Sequence, residues 1–432
     1  MTQKHTEKDL SSETELTFGG LGIDQKILDI ILRAGFRTPT SIQYKAIPPA
    51  IEGKDIIGVA QTGTGKTLAF AIPLIQHILK NEKGNGLVVL PTRELAIQVD
   101  EAIQKIGRSF GIRTAVLIGG SLMRQQIRAI RNNPHIVIGT PGRIIDHLEQ
   151  RTINFNDVSI LVLDEADRMF DMGFAPQVNK ILQAAPKNRQ TMLFSATMPD
   201  GIMKIAGNHM RTPVRVEIAR SGTTAENVEH QLFIARRDQK SLLLRKLLEE
   251  HKGSVLVFLR IKHNVKKICD DLRNVGISAA EIHSNRSLGQ RREALEGFKF
   301  GRYRVLVATD IASRGIDVKG IELVVNFDLP ENPEDYVHRI GRTGRAGMAG
   351  KAVSFALPDQ GGKVRAIERL TRLYLPISRL PDLSSYISKQ SSSRGISEFK
   401  INTPKKSNYF SYNRKPASSA SVARRAYSSH RR

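Results

Sequence analysis

The chain has 432 residues, 40% of them hydrophobic, which is enough for two or three packed domains. No apolar run approaches the roughly 20 residues that span a membrane, and the polar N-terminus has no apolar signal-peptide core, so secretion is not expected. The single cysteine excludes a disulfide framework within the chain and any multi-cysteine metal site, and the formal net charge of +24 favours a polyanionic partner, nucleic acid first and an acidic membrane second.

Short, β-prone apolar runs alternate with segments of helical periodicity along most of the chain. This alternation is typical of an α/β fold with a doubly wound parallel sheet, whose strands are buried on both faces. The predicted strands are 55–60, 86–91, 135–140, 160–164, 191–196, 254–259, 279–283, 304–309, 322–327 and 352–357.

The alternation of predicted strands and helices is interrupted once along the chain, which predicts two α/β domains in tandem. From 385 to 432 there are 11 Lys and Arg residues against one acidic residue, with scattered aromatic residues and no periodic apolar positions. Such a composition predicts a disordered basic tail. The predicted segments are a flexible N-terminus (1–17), a first domain (18–210), a linker (211–224), a second domain (225–380) and the tail (381–432).

The stretch AQTGTGKT, which begins at Ala60, follows a predicted strand and precedes a helical segment. A loop in this position turns backbone N–H groups toward phosphate at a helix N-terminus. Gly63 and Gly65 let the backbone approach closely, Lys66 would reach the β- and γ-phosphates, and the Thr67 hydroxyl would bind Mg²⁺. The general pattern has glycine where this chain has Ala60. The predicted nucleotide-binding residues of the loop are Thr62, Gly63, Thr64, Gly65, Lys66 and Thr67.

Three carboxylates, Asp164, Glu165 and Asp167, follow a buried apolar run. Helix capping alone could account for them, since acidic groups stabilise a first helical turn by about 0.3–1 kcal/mol each. In a P-loop nucleotidase, however, the second acidic motif ends a neighbouring strand and holds Mg²⁺. We therefore predict that Asp164 holds the metal, directly or through water. Glu165 would orient and deprotonate the attacking water, and Asp167 would serve contacts across the cleft.

The sequence DEAD at 164–167 resembles the motif that names the DEAD-box ATP-dependent RNA helicases, and further motifs follow in the family's order. The resemblance covers about residues 18 to 375. It implies two RecA-like domains, ATP and Mg²⁺ as cofactors, and single-stranded or short duplex RNA as partner. The other motifs are GFRTPTSIQ (35–43), PTREL (91–95), the glycine pair 119–120, TPGR (140–143), SAT (195–197), ATDIASRGID (308–317) and HRIGRTGR (338–345).

The resemblance also implies how the base and sugar of the nucleotide are held. Gln43 carries an amide that can both donate and accept, which suits the adenine edge. Phe18 would stack on the adenine ring, and Asp317 would bind the ribose.

Residues from the second domain would complete the catalytic site. Arg342 and Arg345 would act as arginine fingers that reach the γ-phosphate only when the two domains close. His338 would bridge to the acidic motif, and Arg339 is expected to be structural.

The family positions that contact the RNA sugar-phosphate backbone are matched by Arg93, Gly120, Thr140, Arg143 and Thr309. Backbone contacts give affinity and register but little sequence information, and contacts to the 2′-OH favour RNA over DNA. The resemblance therefore implies weak sequence specificity in the core.

Two motifs depart from the family pattern. VFLRIKHN (257–264) keeps only the outline of the fourth motif. In QRRE (290–293), Glu293 stands where the family usually places an arginine that meets phosphate, and Arg291 or Arg292 could compensate. We therefore expect RNA affinity to depend more on the basic tail.

Two other functions stay open at this stage. One is an RNA clamp or a remodeller of ribosomal or messenger ribonucleoprotein with little strand separation of its own. The other is a DNA translocase of the same superfamily, which GFRTPTSIQ and DEAD disfavour. A cytoplasmic location is expected, although the basic tail could also pass for a nuclear-localisation patch. A zinc site is not, because the 11 histidines show no ligand spacing, and the oligomeric state is left open.

Overall fold

The computed structural model describes residues 16–60, 63–80, 84–218, 228–310, 318, 320–344 and 349–383. Within these residues the chain forms two parallel sheets of seven strands each, with helices between successive strands. This confirms the predicted α/β class with two doubly wound domains in tandem.

The first sheet has the strand order β3-β4-β2-β5-β6-β1-β7. Its inner strands are buried on both faces, as the continuous apolar runs predict. The strands are β1 (Ile56–Val59), β2 (Asn85–Val89), β3 (Thr114–Leu117), β4 (Ile136–Gly139), β5 (Val158–Leu163), β6 (Gln190–Ser195) and β7 (Val214–Glu217). The helices of this half are α1 (Gln25–Arg33), α2 (Ser41–Ile51), α3 (Lys66–Lys80), α4 (Arg93–Gly107), α5 (Met123–Arg131), α6 (Pro141–Glu149), α7 (Ala166–Asp171), α8 (Ala175–Ala184) and α9 (Asp200–His209).

The second sheet has the strand order β10-β11-β9-β12-β13-β8-β14. The strands are β8 (Val228–Ile234), β9 (Val255–Leu259), β10 (Ala279–Ile282), β11 (Val305–Thr309), β12 (Leu323–Asn326), β13 (Gly350–Ala356) and β14 (Ile377–Ser378). The helices of this half are α10 (Arg237–Glu250), α11 (Lys262–Asn274), α12 (Leu288–Lys299), α13 (Pro333–Ile340) and α14 (Gly361–Thr371).

All ten predicted strands are present, and the strands that the sequence analysis missed are β3, β7, β8 and β14. The predicted start of the linker at 211 is wrong, because β7 pairs in parallel with β1 and belongs to the first sheet. In β3 only alternate residues are buried, and in β7 only one residue is buried. Neither strand therefore appears in the sequence as a continuous apolar run. The predicted flexible N-terminus falls almost entirely outside the described residues, as do the rest of the linker and all but the first three residues of the tail.

Two further sequence-based expectations concern burial. Cys269 is buried in the second domain, as predicted, and burial raises the pKa of its thiol to about 11. Of the helices in the described part of the chain, none combines the length and the apolar character that crossing a membrane requires.

Candidate active site

The sequence motifs collect at one edge of the first sheet, because parallel strands end together and the loops at their carboxyl ends share one crevice. The strand order β3-β4-β2-β5-β6-β1 places the motifs there in the order glycine pair, TPGR, PTREL, DEAD, SAT and phosphate loop. The three motifs expected to contact RNA therefore occupy one half of the edge, which we call the RNA half. The other half, which we call the nucleotide half, holds the phosphate loop and DEAD, which are expected to contact nucleotide and metal, with SAT between them.

The phosphate loop joins β1 to α3. Gly63 and Gly65 have φ angles of 86° and 89°, a left-handed conformation that glycine adopts without strain. Lys66 begins α3, is buried, and donates from Nζ to the Ala60 carbonyl oxygen at 3.0 Å. Thr67 is the next residue of the helix and is partly exposed, as is Thr64. The loop thus folds around its own lysine, and Thr62 lies outside the described residues.

Gln43 ties the adenine-reading stretch to the phosphate loop. Its Nε2 donates to the Gly65 carbonyl oxygen at 2.9 Å, and its Oε1 accepts from the Thr40 backbone N–H at 2.9 Å. A Cβ on Gly65 would lie 2.4 Å from the Gln43 Nε2, so this position requires glycine. One N–H and one lone pair of the amide remain for a ligand.

The placement of Phe18 differs from what stacking on an adenine ring would need. Its side chain is 1% exposed and packs in the hydrophobic core of the first domain. The stacking role therefore stays a prediction, and Asp317, the predicted ribose ligand, lies outside the described residues.

The acidic motif lies in the turn between β5 and α7. Glu165 has a φ of 53° and a ψ of 48°, a left-handed conformation that costs a residue other than glycine about 1–3 kcal/mol and is typical of functional sites. Its Oε2 accepts from the Arg168 Nη1 at 2.7 Å, and both side chains are buried. This pair was not predicted, although Arg168 follows the motif directly at helical spacing.

Burial raises the pKa of Asp164 to about 6. Lys66 opposes this rise, whereas the neighbouring carboxylates add to it. A divalent cation would relieve the crowding, and Mg²⁺ takes oxygen ligands. No three His, Cys, Asp or Glu side chains among the described residues are grouped to hold a metal, so phosphate and water oxygens would complete the shell. Asp164 and Thr67 therefore suit Mg²⁺ by their oxygen donors.

Asp167 forms its hydrogen bonds within its own domain and also interacts electrostatically with His338 of the second domain, so its role in contacts across the cleft stays a prediction. Its Oδ2 accepts from the Ala196 and Thr197 backbone N–H groups, both at 2.9 Å, and from the Thr197 Oγ1 at 3.2 Å. Burial alone would raise the pKa of Asp167, but Lys66, His338 and further donors hold it below its ordinary value. The SAT motif is thus hydrogen-bonded directly to DEAD.

The second domain brings His338 and Arg342 to the nucleotide half. Both line one small cavity together with Arg168 of the first domain. Burial lowers the pKa of His338 well below its ordinary value and nearby cations of both domains lower it further, whereas Asp167 opposes the change. His338 and Asp167 therefore interact electrostatically, and the role of His338 as a bridge to the acidic motif stays a prediction.

Arg339 is structural, as expected. Its guanidinium forms two hydrogen bonds to the Asp310 carboxylate, at 2.6 and 2.7 Å, and a third to the Asn326 Oδ1 at 3.1 Å. It also lies over the Phe258 ring, 5.1 Å from its centroid. Arg345, the other predicted arginine finger, lies outside the described residues.

The RNA half brings four of the five predicted RNA-binding residues together. The Arg93 guanidinium lies against Gly120, where a Cβ would approach within 2.6 Å, and Gly120 has a φ of 85°. Arg143 donates to the Ser121 carbonyl oxygen at 3.2 Å, and Thr140 precedes the same helix, α6. The fifth, Thr309, ends β11 in the second domain and is half-buried.

The QRRE motif is oriented differently from the sequence-based expectation. Arg291, not residue 293, faces the first domain, where its Nη2 lies 2.8 Å from the Glu94 Oε2. Arg292 is exposed and pairs with Glu296 at 2.7 Å. Glu293 turns outward and accepts from the Tyr303 hydroxyl at 2.8 Å. Arg291 therefore joins the two domains through the PTREL motif.

A buried histidine supports the RNA half and was missed by sequence analysis. His147 Nε2 lies 3.2 Å from the Gln126 Oε1, and its Nδ1 lies 2.7 Å from the Thr152 Oγ1. Gln126 in turn donates to the Ile118 and Ser121 carbonyl oxygens, on either side of the glycine pair. Nothing in the local sequence distinguishes this histidine from an ordinary helical one.

Comparisons with known proteins agree with this geometry. A DEAD/DEAH box helicase family model matches residues 40–205, and a helicase conserved C-terminal domain model matches residues 239–347. The DEAD-box ATP-dependent RNA helicase CshA of Geobacillus kaustophilus is 42% identical over 376 residues, which cover 87% of this chain and 80% of that protein. The chain belongs to the DEAD-box helicases.

Solved DEAD-box structures also match the placement of the two domains. Saccharomyces cerevisiae Dbp5 bound to RNA and ADP BeF3 superimposes with a TM-score of 0.76 at 27% identity, over 87% of this chain and 98% of that one. A DEAD box protein from Methanococcus jannaschii is 39% identical but has a TM-score of 0.51, over 84% and 99% of the two chains. The less identical of these two chains superimposes better. The difference in TM-score therefore reflects the arrangement of the two domains rather than the similarity of the sequences. The two domains of this DEAD-box helicase are therefore arranged similarly to those of the RNA-bound relative.

Proposed function

We propose that the chain is an RNA-stimulated ATPase that binds the RNA backbone, closes its two domains on ATP and RNA, and locally unwinds short RNA duplexes. The observation that carries this proposal is the contact of the second domain with both halves of the edge. His338 and Arg342 lie at the nucleotide half, and Arg291 pairs with Glu94 at the RNA half. Closure of the two domains would therefore depend on both ATP and RNA.

In the nucleotide half, Lys66 and the backbone of Gly63, Thr64 and Gly65 hold the phosphates, with Thr62 as a further member of the loop. The free N–H and lone pair of Gln43 meet the adenine edge, and Asp317 holds the ribose. Thr67 and Asp164 would hold Mg²⁺, which would supply positive charge to the phosphate oxygens.

Hydrolysis then depends on charges from both domains. Glu165 accepts the proton of the attacking water, and its Oε2, which already accepts from Arg168, is held in position for that. Arg342 and Arg345 stabilise the charge of the transition state. When the γ-phosphate is lost, the contact of His338 and Arg342 with the nucleotide half weakens, and the cleft reopens.

In the RNA half, Arg93, Gly120, Thr140, Arg143 and Thr309 contact sugar and phosphate. Because such contacts carry little sequence information, the core accepts many RNAs, and ribosomal or messenger ribonucleoprotein are the partners we propose. A cytoplasmic location belongs to the same proposal, since the buried Cys269 thiol suits a reducing compartment.

The proposal is tested by three measurements on the full chain. ATP hydrolysis should be stimulated by single-stranded RNA and much less by DNA of the same sequence. A short RNA duplex should be separated in the presence of ATP. Glu165→Gln should still bind ATP and RNA but not turn over, so a closed complex accumulates.

Each outcome separates the rival functions. Equal stimulation by DNA would favour a DNA translocase. RNA-stimulated hydrolysis without duplex separation would favour an RNA clamp or ribonucleoprotein remodeller. Near wild-type turnover by Glu165→Gln would show that Glu165 is not the base.

A further inference from the structure

A basic pocket lies in the second domain, between the start of α11 and the loop that follows β10. Its volume is about 250 Å³, and every residue that lines it belongs to the second domain. The DEAD-box motifs assigned above do not use its floor, which is formed by Glu281 and His283.

The floor carries two buried polar atoms without hydrogen-bond partners in the described part of the chain. Glu281 pairs with Arg286 through Oε1, whereas its Oε2 has no hydrogen bond. His283 Nδ1 accepts from the Asn285 backbone N–H at 3.3 Å, so the proton of the neutral ring is on Nε2, which also has no hydrogen bond. The two side chains are 3% and 6% exposed.

These two atoms form an acceptor and a donor side by side. Glu281 Oε2 and His283 Nε2 are 3.4 Å apart, well beyond the roughly 2.7–2.9 Å of a charge-assisted hydrogen bond. Burial lowers the pKa of His283, and Lys262 and other nearby cations lower it further, so the ring stays neutral. Buried polar groups in native structures are normally satisfied, so an unpaired acceptor and donor in the lining of a cavity are suited to bind a ligand there.

The rim of the pocket is cationic. Lys262 donates from Nζ to the Asn285 Oδ1 at 3.0 Å, and Lys266 makes no ion pair within the described residues. With Arg286 there are three cations against one carboxylate, Glu281, so the pocket has an excess of two positive charges. Such a rim suits a phosphate, and the floor suits a group with a hydrogen-bond donor beside an acceptor.

A nucleotide has both features, because the Watson–Crick edge of each base places an N–H donor next to an acceptor. We propose that this pocket takes one unstacked nucleotide of the bound RNA, with its phosphate at Lys262 and Lys266 and its base edge against Glu281 and His283. This proposal rests on RNA binding by the helicase core and adds to it one position at which the base itself is contacted.

An abasic scan tests the base contact. RNA half-saturation of the ATPase is measured for the full chain with a series of oligonucleotides, each lacking the base at one position. We expect one position to raise half-saturation about five- to tenfold, the size of one or two lost hydrogen bonds. Glu281→Gln should remove this sensitivity. A wild-type protein with no sensitive position, but with normal stimulation by RNA, would overturn the pocket and leave the helicase function standing.

The phosphate contact gives a second test, with a matched control on the same helix. This test does not use Glu281→Gln, so it holds even if that variant misfolds. Lys266 lines the pocket, whereas Lys267, the next residue, is exposed outside it. Lys266→Ala should reduce the slope of log affinity against log salt by about 0.7, the value for one contact to single-stranded RNA. Lys267→Ala should leave the slope unchanged, and equal slopes for the two variants would contradict the proposal.

Discussion

The two halves of the first sheet's carboxyl edge are built from neighbouring strands of one sheet but differ in their chemistry. At the nucleotide half, buried carboxylates surround one buried lysine, and burial raises the pKa of Asp164 to about 6. At the RNA half, the guanidinium of Arg93 lies against glycine backbone and Arg143 bonds a carbonyl oxygen. The nucleotide half is suited to bind a metal ion and to stabilise charge that develops during a reaction. The RNA half is suited to bind the fixed charges of an RNA backbone.

The second domain contacts the two halves by different means. At the nucleotide half it places His338 and Arg342 near charges of the first domain, where they can act on a reacting group. At the RNA half it contributes a buried ion pair between Arg291 and Glu94. Substitutions at the first contact should therefore change turnover, and substitutions at the second should change the RNA concentration that closure requires.

The largest effect is expected from Arg342. Arg342→Ala should lower the RNA-stimulated kcat about 10³-fold, since it removes a transition-state charge, with RNA binding retained. Arg339→Ala, three residues earlier, should instead destabilise the protein by about 3 kcal/mol, because the hydrogen bonds of this buried guanidinium to Asp310, Asn326 and the Asp328 carbonyl are lost. Single-turnover hydrolysis and urea unfolding distinguish the two, and a near wild-type kcat for Arg342→Ala would remove it from the catalytic site.

The next largest effect is expected within the nucleotide half. Lys66→Ala should lower ATP turnover about 10²- to 10³-fold, because a buried charge that holds the phosphates is lost. RNA binding without nucleotide, measured by fluorescence anisotropy, should be unchanged. A variant that still hydrolyses ATP well with RNA would place phosphate binding elsewhere.

At the RNA half, Arg291→Met should leave Glu94 buried without its ion pair, at a cost of about 1–3 kcal/mol to the closed form. We expect RNA half-saturation of the ATPase to rise about tenfold or more, with the rate at saturating RNA changed less. The double variant Glu94→Gln with Arg291→Met should recover part of the loss. Arg292→Ala is the control, since that exposed arginine contributes little, about 0–1 kcal/mol. Equal effects of the two arginines would contradict a role for the domain contact.

The smallest effect concerns the buried support of the RNA half. Burial lowers the pKa of His147 below its ordinary value, and Arg143 lowers it further, whereas Asp146 opposes. The neutral ring therefore contributes stability that is present above about pH 6.5 and is lost as the pH falls. His147→Asn should cost about 1–3 kcal/mol at pH 7.5 through its unsatisfied partners.

The pH dependence of stability separates the contribution of His147 from those of the other histidines, because the other histidines are present in both the wild type and His147→Asn. Between pH 7.5 and 5.5 the urea midpoint should fall less in His147→Asn than in the wild type. Parallel pH profiles would show that His147 is not the group that titrates.

Much of the fold and of the nucleotide half could be predicted because their signals are contiguous. A buried strand such as β5 is one apolar run, and the loop that ends at Lys66 carries its own chemistry within a few residues. The edge strands β3 and β7 were missed because half or fewer of their residues face the core. The burial of Phe18 was not predicted either, since a motif position does not state which way a side chain points.

The sequence by itself determined the two α/β domains, the family and the residue types at each motif, because each is written in consecutive residues. The tertiary structure alone decided which distant side chains meet. It placed the Gln43 amide on the Gly65 carbonyl and Arg291, rather than residue 293, against Glu94. Partners such as these depend on helix rotation and on domain closure, since one residue along a helix turns a side chain by about 100°.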